Sequence, residues 1–141
     1  MSEPRRMNDI IAGTENQGRV PPQAVDIEAA VLGAMLLDKE ALAKAFEVID
    51  AEAFYRPAHG LIFRAMVGLF ERSEPVDLIT LAEELRRRGD LEKVGGEYAL
   101  TELTARVASS ANVEYHAHIV LEKSLMRQLI ASSSEVIQRA F

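Results

Sequence analysis

Cysteine and tryptophan are absent from this sequence of 141 residues, and histidine occurs only three times. Without cysteine there is no disulfide, thiolate zinc site or cysteine nucleophile, and a metal site would depend on carboxylates. No apolar run approaches the roughly 18 residues of a membrane span, and the N-terminus lacks the apolar stretch of a secretory signal. These absences predict a cytoplasmic protein.

Positive charge is also scarce, with 16 Lys and Arg residues against 22 Asp and Glu residues and a net charge of −6. A surface of that sign is unsuited to binding nucleic-acid phosphates by itself, so a stand-alone nucleic-acid binder is disfavoured. Apolar residues make up 48% of the chain, enough for one core, and aromatic residues only 6%. Because Ala, Leu, Glu and Arg are abundant and favour helices, we expect an all-α fold.

Six helices are predicted from apolar residues that recur at spacings of three and four. Asp26, Asp38, Asp77 and Asn112 are placed to cap four of these helices, and Pro57 suits the first turn of another. The apolar stripes also predict which residues are buried. The predicted core consists of Leu32, Leu36, Phe46, Leu61, Phe63, Met66, Leu69, Leu81, Leu85 and Leu103.

Composition and pattern divide the chain into three parts. Residues 1–22 contain three prolines and few apolar residues, which predicts a disordered tail. Residues 23–96 are predicted to form a small helical globular head, and residues 97–141 a helical hairpin. The hairpin pattern ends without a helix stop signal, so we expect a linker and further protein beyond Phe141.

The hairpin is predicted to consist of one helix over residues 97–108 and a long one over residues 112–141. The long helix contains no Pro or Gly and would extend roughly 45 Å. Its apolar residues cover an arc of roughly 180°, wider than the stripe of a surface helix. One face can therefore pack on the head while another is left for a partner. A bent helix folded wholly onto its own core is the alternative.

Sequence motifs of catalysis and nucleotide binding are missing. None of the four lysines follows a glycine, which excludes a P-loop, and the glycines form no dinucleotide-binding fingerprint. Glu114 and His118 share a helix face but would supply a metal with only two ligands. His59 has no Ser or Asp nearby in sequence for a relay, so we interpret it as structural. No catalytic, cofactor or metal site is predicted in this segment.

Arg86, Arg87 and Arg88 form the only basic run and close the last turn of a predicted helix before Gly89. The helix dipole stabilises positive charge at a C-terminus without any ligand, which is the structural interpretation. Contact with a phosphate or with a partner is the functional one. A helix-turn-helix that reads DNA is disfavoured because acidic residues stand at the predicted helix starts.

Five short blocks carry a resemblance to a known family. Their order and spacing over residues 21–137 are similar to those of the N-terminal domain of the bacterial replicative DNA helicase, the DnaB family. The chain departs from the family pattern in lacking a proline just before the Ser109 turn and a glutamine two or three residues ahead of Val31, a stretch that here reads Glu28, Ala29 and Ala30. The blocks are Val31-Leu32-Gly33, Phe54 to His59, Pro75 to Leu81, Val94-Gly95-Gly96 and Ser110 to Tyr115.

The resemblance implies a helical head followed by a hairpin through which two copies pair. It implies a collar of three such dimers on a hexameric ring at the replication fork, and docking of primase, with a helicase loader as a further candidate partner. ATP, Mg²⁺ and 5′–3′ DNA unwinding would belong to a C-terminal domain outside this chain, so this segment alone would be no enzyme and would bind DNA weakly or not at all. The predicted dimer interface consists of Ile119, Met126, Ile130 and Ile137, which share one side of the last helix.

The residues alone leave other classes of protein open. A stand-alone helical adaptor would have the same helices without a motor, and a P-loop encoded downstream of Phe141 would distinguish the two. The helicase-binding domain of a primase has a similar head and hairpin but would not begin at Met1. A small acid–base enzyme would need carboxylates gathered from separate helices, which nothing in the sequence requires.

Overall fold

The computed structural model describes residues 19–107 and 109–141, so residues 1–18 of the predicted tail lie outside it. These two ranges contain α-helices and short 3-10 turns without a β-strand, and the predicted all-α fold is confirmed. None of their helices is long and apolar enough to cross a membrane. The elements are α1 (Val25–Leu37), α2 (Lys39–Val48), the turn η1 (Ala51–Ala53), α3 (Pro57–Glu71), α4 (Leu78–Arg88), the turn η2 (Glu92–Val94), α5 (Gly96–Ala105) and α6 (Val113–Ala140).

Two helices begin at the predicted aspartate caps. The side chain of Asp38 accepts a hydrogen bond from the Glu40 amide at 3.0 Å and so starts α2. Asp77 accepts from the Thr80 amide at 2.8 Å, and the Thr80 hydroxyl accepts in return from the Asp77 amide at 2.9 Å. This reciprocal capping box satisfies amide groups that would lack partners in the first turn of α4.

Other predicted helix ends are wrong by a few residues. Helix α1 begins at Val25, so Asp26 lies inside the first turn. Its negative charge is still stabilised there by the positive end of the helix dipole. Helix α5 covers Gly96–Ala105 instead of 97–108, because the chain tightens into a turn in which the Val107 amide bonds the Thr104 carbonyl. Asn112 precedes α6, but its side chain makes no capping hydrogen bond.

The core surrounds α1, which packs against α2, α3, α5 and the first half of α6. Of the ten predicted core residues, seven are buried, while Leu36, Phe46 and Leu61 are partly buried and pack against the core from its edge. The ring of Phe63 anchors the centre, with the rings of Phe46 and Phe54 at 5.3 and 5.2 Å. Because α5 and α6 supply core residues, the hairpin segment packs directly on the head; the domain boundary at residue 96 stays a prediction.

Gly33 allows the closest approach between α1 and α5. A Cβ atom at this position would overlap the carbonyl oxygen of Leu103 and lie 2.5 Å from Cγ2 of Val107. The carbonyl belongs to the backbone and cannot move without shifting α5. The glycine in the Val31-Leu32-Gly33 block is therefore required by helix packing.

A buried carboxylate joins α1 to the start of α3. Glu28 is 1% exposed, and its Oε2 accepts from the Tyr55 amide at 2.7 Å. Its Oε1 accepts from the Arg56 amide at 3.3 Å and lies 2.8 Å from Nδ1 of His59. The side chain of His59 is 4% exposed and hydrogen-bonded within the core, which agrees with the structural role predicted for it.

Candidate protein-interaction surface

Helix α6 is the longest element, a continuous helix of 28 residues. In its first half Val113, Ala117, Val120 and Ser124 are buried against the head. After Ser124 every described side chain of the helix except Arg127 and Ser134 is exposed. The stretch of residues 125–137 is called the free half of α6 below. It places a helical surface in solvent that the head does not cover.

The predicted interface residues fall mainly on this free half. Met126, Ile130 and Ile137 are 40%, 46% and 37% exposed and lie on one side of the helix. Ile119 lies in the packed half and is partly buried. The structure thus brings three of the four predicted residues into one accessible apolar stripe, and pairing through that stripe stays a prediction.

A second apolar stripe was not among the predicted site residues. Leu125, Leu129 and Val136 are 54%, 68% and 67% exposed, more than the residues of the first stripe. Each immediately precedes a residue of the first stripe, so the two stripes are about 100° apart around the helix axis. The wide apolar arc in the sequence was the signal for this surface, which leaves two sides of the free half apolar.

Arg127 is a further residue that sequence reasoning missed. Its Nη1 donates to the Pro22 carbonyl and its Nη2 to the Ala53 carbonyl, each at 2.8 Å. Its Cζ atom also lies 5.4 Å from the centroid of the Tyr55 ring, within the range of a cation–π contact. The signal was its spacing of three residues from Ser124 and seven from Val120, which places it on the side of α6 that faces the head.

The arginines of the basic run form ion pairs with acidic side chains of the same chain. All three arginines lie in the last turn of α4, where the helix dipole favours positive charge, and each also forms an ion pair. Contact with a phosphate or a partner stays a prediction. The pairs join Arg86 to Glu83 and Glu97, Arg87 to Glu84, and Arg88 to Glu84.

Glu84 is the centre of this ion-pair cluster and is only 3% exposed. Arg72 donates to its Oε1 at 2.8 Å, and Arg88 donates to its Oε2 at 2.8 Å. The Arg72 hydrogen bond lowers the pKa of Glu84 from 4.5 to about 2; burial opposes this change, and Arg88 and Arg87 reinforce it. The folded protein therefore keeps this carboxylate charged at a pH where the unfolded chain binds a proton.

The lowered pKa of Glu84 predicts a pH-dependent contribution to stability. Replacing Glu84 by Gln should reduce the free energy of unfolding by about 2 kcal/mol at pH 7, where the charged hydrogen bonds are intact. The contribution is complete well above pH 4.5 and is lost as the pH falls toward about 2, because the unfolded chain binds a proton in this range that the folded protein does not. Urea unfolding of both proteins at several pH values measures this difference.

Glu83→Gln is the matched control, since Glu83 is exposed and forms an ion pair with Arg86, three residues later on the surface of α4. Its effect should stay within about 0.5 kcal/mol at every pH. A gap between wild type and Glu84→Gln that is constant from pH 7 to pH 2.5 would contradict this account of the cluster.

Within the described ranges, no group of three or more His, Asp or Glu side chains is placed to hold a metal ion. The described residues also contain no lysine that follows a glycine, as a phosphate-binding P-loop requires. The free half of α6 instead exposes apolar side chains to solvent.

Residues 20–122 match the family described as DnaB-like helicase N terminal domain. The chain is 54% identical over 137 residues to the replicative DNA helicase DnaB of Rhodothermus marinus, covering 97% of this chain and 14% of that protein. It is 47% identical over 123 residues to DnaB of Geobacillus stearothermophilus, covering 87% of this chain and 27% of that protein. The chain therefore spans a minor part of the curated relatives that it matches.

Solved structures show the same fold. The N-terminal domain of DnaB helicase from Mycobacterium tuberculosis superimposes with a TM-score of 0.82 at 44% identity, covering 84% of this chain and 85% of that one. The corresponding domain from Helicobacter pylori, described with its interactions with primase, superimposes with a TM-score of 0.66 at 21% identity, covering 96% and 98%. The chain belongs to the DnaB-like helicase N-terminal domain family.

Proposed function

We propose that this chain is the assembly and docking part of a replicative ring helicase and that it acts by protein–protein contact. The free half of α6 carries this proposal, because it exposes two apolar stripes on a helix that the head holds at its other end. A contiguous apolar surface of this kind is typical of a partner-binding site. The relatives from Rhodothermus and Geobacillus, named as replicative DNA helicases, support the same role.

The proposed assembly has two levels. Two copies pair through Ile119, Met126, Ile130 and Ile137, and the parent chains form a hexameric ring. Primase is the proposed external partner, supported by the primase interactions described for the Helicobacter pylori domain, and a helicase loader is a second candidate. ATP, Mg²⁺ and the translocating DNA would be bound by parts of the parent protein outside these residues.

Met126→Glu tests the proposed pairing. A carboxylate at this position would be desolvated in the dimer without a partner, at a cost of roughly 3 kcal/mol or more. We expect the dissociation constant for self-association to rise by about 100-fold or more. Sedimentation equilibrium of wild type and variant at equal concentrations measures this change.

Gln128→Glu is the control for added charge on the same helix. Gln128 is exposed and lies on the opposite side of α6 from the stripe that contains Met126. This variant should associate like the wild type. An unchanged association state in Met126→Glu would show that the interface is assigned to the wrong residues.

The helicase proposal is distinguished from a stand-alone adaptor by the coding sequence that follows Phe141. A ring helicase requires a linker, a strand and a Gly-x-x-x-x-Gly-Lys-Ser/Thr loop that opens a helix, since these elements bind the nucleotide phosphates. A stop codon within a few helical turns would instead identify a helical adaptor without a motor.

A further inference from the structure

We propose that Arg127 is a positioning residue that fixes the direction in which the free half of α6 leaves the head. Through that direction it would set the geometry of the dimer, a consequence that rests on the proposed function. The residue itself is only partly exposed and lies outside the two apolar stripes. Its role would therefore be exerted through the helix and not by contact with the second copy.

The contacts of Arg127 join α6 to two other segments of the chain, the segment before α1 and the stretch from η1 to α3. The Pro22 carbonyl belongs to the segment before α1, and the Ala53 carbonyl belongs to the last residue of the turn η1. Tyr55 lies between η1 and α3, and its ring packs over the guanidinium group of Arg127. Because the guanidinium is planar and its donors are rigidly spaced, two simultaneous hydrogen bonds restrict both the position and the orientation of the helix.

Arg127 lies where α6 leaves the head, so its contacts can set the direction of the free half. Ser124, one turn earlier on the same side, is 3% exposed and ends the series of buried residues. Ala131, one turn later, is exposed. Arg127 thus lies at the transition between the packed half and the free half.

The charge of Arg127 is used in an unusual way for a surface arginine. Among the described residues it forms no ion pair with an Asp or Glu side chain, whereas the arginines of α4 all do. Its partners in the structure are two backbone carbonyls and an aromatic ring. This pattern is suited to fixing geometry more than to neutralising a charge.

Distance measurements between two spin labels test the proposal directly. The chain contains no cysteine, so Glu47→Cys in α2 and Ser132→Cys in the free half of α6 provide two unique, exposed labelling sites. The labelled 141-residue chain is mixed with excess unlabelled chain so that only distances within one copy are recorded. We expect one narrow distance distribution in the wild type and a broader or shifted distribution in Arg127→Ala.

Arg127→Lys keeps the positive charge and is a second test of the proposal in case Arg127→Ala fails to fold. A single ammonium group cannot reproduce the two spaced hydrogen bonds, so this variant should also broaden the distribution. Both variants should weaken self-association by roughly tenfold through loss of preorganisation. Arg139→Ala is the control, because Arg139 lies on the same helix and only pairs with exposed Glu135.

The outcomes separate this proposal from the proposed function. An unchanged distance distribution in a folded Arg127→Ala protein overturns the positioning role, whatever the dimer does. A changed distribution with unaltered self-association overturns the link from Arg127 to dimer geometry. If Met126→Glu fails to alter association, the proposed interface is wrong, while the label distances still decide whether Arg127 directs the helix.

Discussion

Replacement of Glu28 by glutamine is expected to lower the free energy of unfolding by about 3 kcal/mol, although the two side chains have nearly the same volume. Both carboxylate oxygens accept hydrogen bonds from groups of the α3 start, namely the amides of Tyr55 and Arg56 and the ring of His59. Glutamine has only one acceptor oxygen, so its amide nitrogen would face a donor in a buried site. At least one buried N–H group would then lose its partner.

Chemical unfolding of wild type and Glu28→Gln at neutral pH measures this cost. Glu47→Gln is the matched control, because Glu47 is exposed on α2 and its replacement should change stability by about 0.5 kcal/mol or less. If the two variants were equally stable, the hydrogen bonds of Glu28 would contribute no more than those of a solvated carboxylate.

Gly33→Ala should destabilise the protein by about 3 kcal/mol, even though alanine is the better helix former by about 1 kcal/mol. The added methyl group would overlap the Leu103 carbonyl and press on the Val107 side chain. A flexible side chain could turn away, but the carbonyl is part of the α5 backbone. Helices α1 and α5 must therefore separate, and the contacts around Leu103 are lost along with the close approach.

Gly60→Ala is the control for this substitution. Gly60 is also a buried helical glycine, but its added Cβ would meet only the Ala51 carbonyl, at 3.2 Å. A small shift relieves that contact, so stability should change by about 1 kcal/mol or less. Equal effects of the two substitutions in a denaturant titration would exclude close helix packing as the reason for glycine at position 33.

Local patterns in the sequence predicted the parts of the fold that depend on neighbouring residues. Asp38 and Asp77 were identifiable as caps because their partners, Glu40 and Thr80, lie two and three residues away. The absence of Pro and Gly after Asn112 likewise predicted one long helix. Helix periodicity identified most of the core for the same reason, since it depends only on spacing along one helix.

Features that depend on distant partners were not predictable in the same way. A glutamate in the first turn of a helix is usually solvated, and the burial of Glu28 depends on donors 27 to 31 residues away. The carbonyl partners of Arg127 are 74 and 105 residues distant. For the same reason, the periodicity of α6 predicted a surface for a partner but gave no sign that Arg127 would donate to carbonyls of other segments.

The unbroken course of α6 makes its free half a lever arm. Residues 128–140 extend roughly 20 Å beyond Arg127, without a proline or glycine at which the helix could bend. A rotation of about 10° at the base moves the tip by roughly 3 Å, a third of the usual distance between packed helices. A small rotation within the head is thus converted into a displacement of several ångströms at the tip of the helix.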